Sequence, residues 1–197
     1  MKVHDALDGV LRGRGSLALL RIFCKYPGTS FTGRELAKLA HLSVSHVQSS
    51  LENLEVQGLV EKGRAGNSLM WKARPSNLLF QPLQRLLSEE RELPELLIDR
   101  LRGGLRRARF IRATLFGSVA RGEESPESDV DLLLELASAT DRPALEPIML
   151  RLGDQVRDEF GLNLSPTYLS PIELKRPSWK KFRLNVQAHG QLIASRP

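Results

Sequence analysis

A single cysteine, Cys24, stands in 197 residues, so no disulfide scaffold of the secreted kind is available. It follows the apolar stretch of Leu17, Leu19, Leu20, Ile22 and Phe23, where a thiol reads as a small buried hydrophobe of a reducing compartment. No apolar run approaches the roughly 20 residues that a membrane-spanning helix needs. The first five residues, Met1 to Asp5, lack the apolar core of a secretory signal. The 15 glycines follow no period, which excludes a collagen-like chain. With 41% hydrophobic and 26% charged residues, the composition is that of a folded chain rather than a disordered one. A cytoplasmic protein with no membrane partner is expected, of one large or two small domains.

Net charge is +6, and it is uneven. Residues 1–75 carry 11 Lys and Arg against 6 Asp and Glu; the remainder carries 18 against 17. Scatter alone accounts for such a split, and so does a first module that faces a polyanion. The pattern within the segment has to decide. Leu17, Leu20, Ile22 and Phe23 form a helical stretch stopped by Tyr26-Pro27-Gly28. Thr32 and Glu35 have capping-box spacing and open a short helix, with Leu36 and Leu39 read as one side of it. After a turn through His41 and Leu42, Ser43 caps a longer helix carrying Val44, Val47, Leu51 and Leu54, which Gly58 ends. Two strand-like pieces, 59–62 and 69–73, flank a Gly- and Asn-bearing tip.

That order resembles winged helix-turn-helix regulators of the MarR-like kind. The resemblance implies that the helix after the turn enters a DNA major groove. Its outward face is then Ser43, Ser45, His46, Gln48, Ser49 and Ser50, with Lys62, Lys72 and a wing-tip Arg64 for phosphates. The same fold used only for protein contacts or dimerisation is the alternative. The longer helix lacks Lys and Arg, which weakens sequence-specific readout; DNA binding is the reading kept. Regulators of this kind often pair, so a homodimer is implied.

Residues 76–107 read as a helical connector: Leu83, Leu86, Leu87, Leu93, Leu96, Leu97 and Leu101 recur at helical spacing. A basic cluster follows: Arg100, Arg102, Arg106, Arg107, Arg109 and Arg112. It is either a solvated face or an attractor for nucleotide or nucleic acid beside the next motif.

The next motif carries chemistry. An apolar strand runs into Gly117-Ser118, a short helical turn with Arg121 follows, and a polar loop leads to Asp129-Val130-Asp131 and a second apolar strand. Gly117 leaves room for a phosphate to approach the backbone. Ser118 places a hydroxyl and an N–H at a helix start, where anions are favoured, and Arg121 adds positive charge. Two carboxylates two residues apart on a strand share a face and suit Mg²⁺. Gly-Ser, ten residues, then Asp-x-Asp resembles the minimal nucleotidyltransferases of the DNA polymerase beta-like superfamily. The resemblance covers about residues 92–190. It implies that Gly117, Ser118 and Arg121 bind the triphosphate of an NTP, ATP first among them, and that Asp129 and Asp131 bind metal and carry catalysis. It also implies an acceptor hydroxyl on a protein, nucleic acid or small molecule, and a toxin partner in the antitoxin-like members.

Active members of that family add a third carboxylate from a later strand. Here the helix at about 142–160 leads to a strand, 162–169, that holds Asn163 and Ser165 but no acid. Glu173 lies in the turn beyond, and Glu135 is too far along its strand to share an ion. Two readings follow: a transferase working with two carboxylates, or a DNA-binding regulator whose second domain binds nucleotide without turnover. The C-terminal stretch with Trp179, Phe182, Leu184 and Val186 reads as an amphipathic packing helix ended by Gly190. The expected architecture is α+β: a winged helix-turn-helix at 1–75, the connector at 76–107, and a small nucleotidyltransferase-fold α/β domain with a mixed sheet at 108–197.

Overall fold

The computed structural model describes residues 6–11 and 13–196, so the first five residues, read above for a signal sequence, lie outside the described residues. The architecture is mixed α+β, and contacts divide it into two units, Met1–Glu92 and Leu93–Pro197. No helix among the described residues is long and apolar enough to cross a membrane.

The first unit contains α1 (Ala6–Val10), α2 (Arg14–Lys25), β1 (Ser30–Thr32), α3 (Gly33–Ala40), α4 (Val44–Val56), β2 (Val60–Ala65) and β3 (Ser68–Ala73). Side-chain caps set its helix boundaries. Thr32 Oγ1 accepts from the Glu35 N–H at 3.2 Å, while the Glu35 carboxylate accepts from the Thr32 N–H at 2.7 Å. His41 ends α3 in the left-handed region (φ 53°), and two residues later Ser43 Oγ accepts from the His46 N–H to start α4. The core is drawn from all of these helices, with Leu19, Leu20, Phe23, Leu36, Leu51, Leu54 and Trp71 buried. Cys24 is buried there too, and desolvation pushes its thiol up to about 11, with nearby Arg91 acting the other way.

Several local expectations change. Leu39 is 51% exposed, because the buried side of α3 runs through Leu36 and Ala37, and Leu39 is about 200° around the helix from Ala37. The hairpin strands run further toward the tip, pairing Ala65 with Ser68. Gly66 supplies the positive φ (58°) required at the first position of the two-residue turn. Arg64 therefore lies on β2 opposite Leu69 rather than at the wing tip. A third strand, β1, pairs with β3, giving an antiparallel order β1-β3-β2.

Ser50 is not on the outward face of α4: it is 7% exposed and sits against Gly15 of α2. A Cβ on Gly15 would fall 2.3 Å from Ser50 Oγ and 2.6 Å from His46 Nε2, so glycine is what lets the two helices meet. Gly15→Leu is expected to destabilise the chain by about 1–3 kcal/mol through overpacking. Gly28→Ala, whose Cβ meets nothing within 4 Å, is the control and is expected to be near neutral. Urea unfolding of both variants checks this.

Helix α5 (Phe80–Gly104) is a single helix containing Pro94. Leu83 and Leu87 belong to the first core; Leu97, Ile98 and Leu101 belong to the second. Leu86, Leu93 and Leu96 are exposed, so the leucine repeat serves two separate stripes.

The second unit continues with β4 (Arg112–Phe116), α6 (Gly117–Arg121), β5 (Val130–Glu135), α7 (Arg142–Phe160), β6 (Leu164–Leu169), α8 (Pro171–Lys175), α9 (Lys180–His189) and β7 (Gln191–Ser195). The sheet order is β6-β5-β4-β7, with β5 and β6 parallel and the other pairs antiparallel, a mixed sheet. Strand period divides β5 in two. Val130, Leu132 and Leu134 enter the core with α5 and α7; Leu133 packs on the other face with Val186, Trp179 and Phe182. Asp131 and Glu135 share that second face by the same period. Of the C-terminal packing residues, Leu184 turns outward and Trp179 belongs to a 3-10 turn ahead of α9. Residues after Gly190 form the edge strand β7, which joins β4.

Candidate functional site

β4 ends where β5 begins. Phe116 and Asp131 are register partners, so the chain leaves β4 beside the start of β5. Gly117 follows with φ 79°, a conformation side chains rarely adopt. A Cβ there would stand 2.1 Å from Asp131 Oδ2. The Gly117 backbone and the Asp131 carboxylate are thus in direct apposition, and any side chain at 117 would displace the carboxylate. Gly117 begins α6 and Ser118 is its second residue; no side chain caps the helix, and Gly122 closes it in the left-handed region (φ 66°). Phe116 is fixed from below by an edge-to-face contact with Phe182 (5.2 Å between ring centres), itself edge-on to Trp179 (5.3 Å). These supporting aromatics carry no motif signal; only the tertiary contact shows them.

Asp129 lies one residue before β5, not on the strand, and is exposed; Asp131 is half-buried. Burial raises the Asp131 carboxyl above the ordinary range, and the Asp129 charge raises it further. The loop before them is pinned by Ser125 and Ser128, whose N–H and hydroxyl meet at 2.9 Å. Two close carboxylates with no ion-pair partner among the described residues are hard-oxygen donors of the kind a divalent cation satisfies, so the residues present fit Mg²⁺.

The strand beside them decides what else faces the two carboxylates. Asp131 and Ser165 are register partners in parallel strands, so Ser165 presents its hydroxyl on the same face. Asn163 precedes β6, and its Oδ1 accepts from Arg157 Nε at 3.3 Å. Glu173 is committed elsewhere: its carboxylate accepts from the Ser170 N–H (2.8 Å) and Ser170 Oγ (2.7 Å), capping α8. Those bonds hold it below the usual carboxylate range. Ser170 and Glu173 have capping-box spacing, a signal visible in the sequence. Glu135 is the register partner of Arg112 at the far end of the strands. Among the described residues no group of three or more His, Cys, Asp or Glu is placed to hold a metal.

Arg121 is paired with Glu123 at 2.6 Å, so its charge is shared next to the turn. The arginine cluster is not beside the motif. Arg106, Arg107, Arg109 and Arg112 lie at or before the start of β4, while Gly117 follows its end, about 13 Å along a five-residue strand. Arg100 pairs with Glu159 and Arg102 with Asp99.

On α4, Ser43, Ser45, His46, Gln48 and Ser49 are all exposed, yet most are already hydrogen-bonded within the helix. Ser43 and Ser45 hydroxyls share a 3.2 Å contact, Ser49 Oγ donates to the His46 carbonyl, and Gln48 donates to Glu52. Lys62 pairs with Glu55 at 3.1 Å. Arg64 is exposed and has no ion-pair partner among the described residues.

Residues 98–182 match the family model described as nucleotidyltransferase domain, a span that includes Gly117, Asp131, Ser165 and Glu173. No curated protein matches the chain. Among solved structures it is similar to one described as "Possible transcriptional regulator from Methanosarcina mazei Go1", at 19% identity and a TM-score of 0.35, over 49% of this chain and 87% of that one. It is also similar to TrmBL2, an archaeal chromatin protein described as showing a novel mode of DNA binding, at 17% identity and a TM-score of 0.28, over 89% of this chain and 69% of that one.

Proposed function

We propose that residues 108–197 form a Mg²⁺-dependent nucleotidyltransferase domain and that residues 1–75 form a DNA-binding winged helix, joined by a helical connector at 76–107. The apposition of Gly117 and Asp131 carries the first half. It puts an open backbone turn, able to receive phosphate oxygens, against a carboxylate that Asp129 already crowds with like charge. Asp129 and Asp131 would hold the cation, which supplies charge neutralisation for the phosphates when bound. Gly117 and Ser118 orient the triphosphate, and Arg121 adds charge at the rim. The acceptor oxygen attacks the α-phosphorus, the α–β phosphoanhydride bond breaks, pyrophosphate leaves, and the acceptor proton passes to water or to a group on the substrate. ATP is the first nucleotide to test. Labelled NTPs, Mg²⁺ and host extract supply donor and acceptor together. Labelling of a macromolecule by the native chain, absent with Asp129→Asn and Asp131→Asn combined, supports transfer; equal labelling by both excludes it.

One observation favours a second reading. Ser165 stands in register beside Asp131 where a third acid would complete the site, and Glu173 is occupied in capping. On that reading the domain binds nucleotide without turnover and the chain is a regulator, or an antitoxin-like protein with a toxin partner, acting as a homodimer on its operator. DNA binding is common to both. Ser43, Ser45, His46, Gln48 and Ser49 face the duplex and Lys62 and Arg64 its phosphates. Arg64→Ala is expected to weaken DNA binding evenly across sequences and to lower the salt slope by about 1. Mobility shifts over a salt series check it, and an unchanged slope removes Arg64 from the interface.

A further inference from the structure

A cavity of about 550 Å³ opens between the end of α5 and the middle of α7, lined by Arg106, Arg107 and Arg151 above Ile148 and Leu152, with Gly103 at its edge. That volume is within the range of small-molecule sites. It is separate from the carboxylate site: α5 and α7 pack on the sheet face of Val130, Leu132 and Leu134, opposite to Asp131. No carboxylate lines it, in a chain with 23 Asp and Glu. Among the described residues none of the three arginines forms an ion pair, whereas Arg100 and Arg102 just before them do. All three arginines are exposed and Arg151 Nε donates to the Pro147 carbonyl at 3.4 Å, so the cavity carries positive charge over an apolar floor with no carboxylate in its lining.

Two local features build the space. A Cβ on Gly104 would lie 2.5 Å from Leu152 Cδ1, so glycine brings α5 and α7 together on that side. Gly103, one residue earlier, faces nothing within 4 Å. The turn that carries Arg106 and Arg107 is held by Arg196, which donates to the carbonyls of Leu105 (2.8 Å) and Arg106 (2.5 Å) and lies over the Phe110 ring.

We propose that this cavity is a second ligand site for a nucleoside polyphosphate, with the guanidiniums on the phosphates and Ile148 and Leu152 under the base. Guanidinium forks bind phosphate oxygens in pairs, and a planar base fits an aliphatic floor. The site does not depend on the transferase reading, and the test keeps the two apart. Calorimetric titration of the full chain carrying Asp129→Asn and Asp131→Asn, in EDTA, removes metal-dependent binding at the carboxylates. ATP, GTP and inorganic tripolyphosphate are the probes. A nucleotide is expected to bind in that background, at least tenfold tighter than tripolyphosphate. Arg106→Ala and Arg151→Ala are each expected to weaken it by about tenfold or more, the scale of a lost charge-assisted hydrogen bond. Gly103→Leu fills the space with a better helix former and is expected to abolish binding without lowering the unfolding midpoint. Absence of binding in this background overturns the proposal, as does binding indifferent to the arginine variants or equal affinity for tripolyphosphate.

Discussion

Asp131→Asn is expected to reduce nucleotidyl transfer by at least about a thousandfold, the scale of losing a charged group that acts in the transition state, while leaving the fold intact or slightly more stable. The two halves of that expectation have one cause. Burial, and secondarily Asp129, hold the Asp131 carboxyl above its ordinary range, so its ionised form is disfavoured in the folded chain. The sign follows from proton linkage. The folded state binds this proton more tightly than the unfolded one, so Asp131 costs stability as pH rises from the ordinary carboxylate range through its raised value. Asparagine removes that cost together with the charge. A denaturant series at neutral pH, run beside the transfer assay, separates this from damage to the fold. A variant that is both inactive and clearly destabilised would mean that Asp131 is a structural residue.

Ser165→Asp is expected to raise affinity for Mg²⁺ or Mn²⁺ by about tenfold or more, since cation sites are tuned by the number of charged oxygens. The register of β5 and β6 places this side chain beside Asp131 on the same face. Without metal, a third close carboxylate adds repulsion, so the variant is expected to unfold at a lower temperature than the native chain. Added Mg²⁺ is expected to recover the loss in proportion to its binding. If transfer rises as well, the serine is what limits the native site; if metal affinity rises and transfer stays absent, the nucleotide-binding reading is favoured. Unchanged affinity would show that β6 does not supply a ligand position.

The parts of the fold that obey short-range rules were legible residue by residue. Thr32 with Glu35 and Ser43 before α4 announce helix starts because a hydroxyl three residues ahead of an N–H can satisfy it locally. The alternation of Val130, Leu132 and Leu134 with Asp131 and Leu133 gives a two-faced strand by pleat alone. Ser170 and Glu173 obey the same capping rule, which is why Glu173 is unavailable as a third acid; the spacing was present but competed with its carboxylate chemistry. Where a side chain depends on a distant neighbour, periodicity fails. Ser50 is polar on a polar helix face, yet Gly15, 35 residues earlier, makes it a crossing point of α2 and α4. The leucine repeat of α5 looks continuous but divides between two cores.

Charge distribution shows the same limit. An arginine cluster five residues ahead of Gly117 looks adjacent to it in the chain, but an extended strand separates the two ends by its full length, so proximity in sequence becomes opposite ends of the sheet. By itself the sequence determined the α+β class, the mixed composition of the second sheet's neighbourhood of helices and strands, and the linear order Gly117, Ser118, Asp129, Asp131, because caps, pleat period and turn glycines act over a few residues. Only the tertiary structure decided that Asp131 lies against the Gly117 backbone, that Ser165 is its neighbour on β6, and that Arg106, Arg107 and Arg151 converge. Those three facts depend on strand register and helix crossing, which bring together residues 14 to 45 positions apart and which no local pattern encodes.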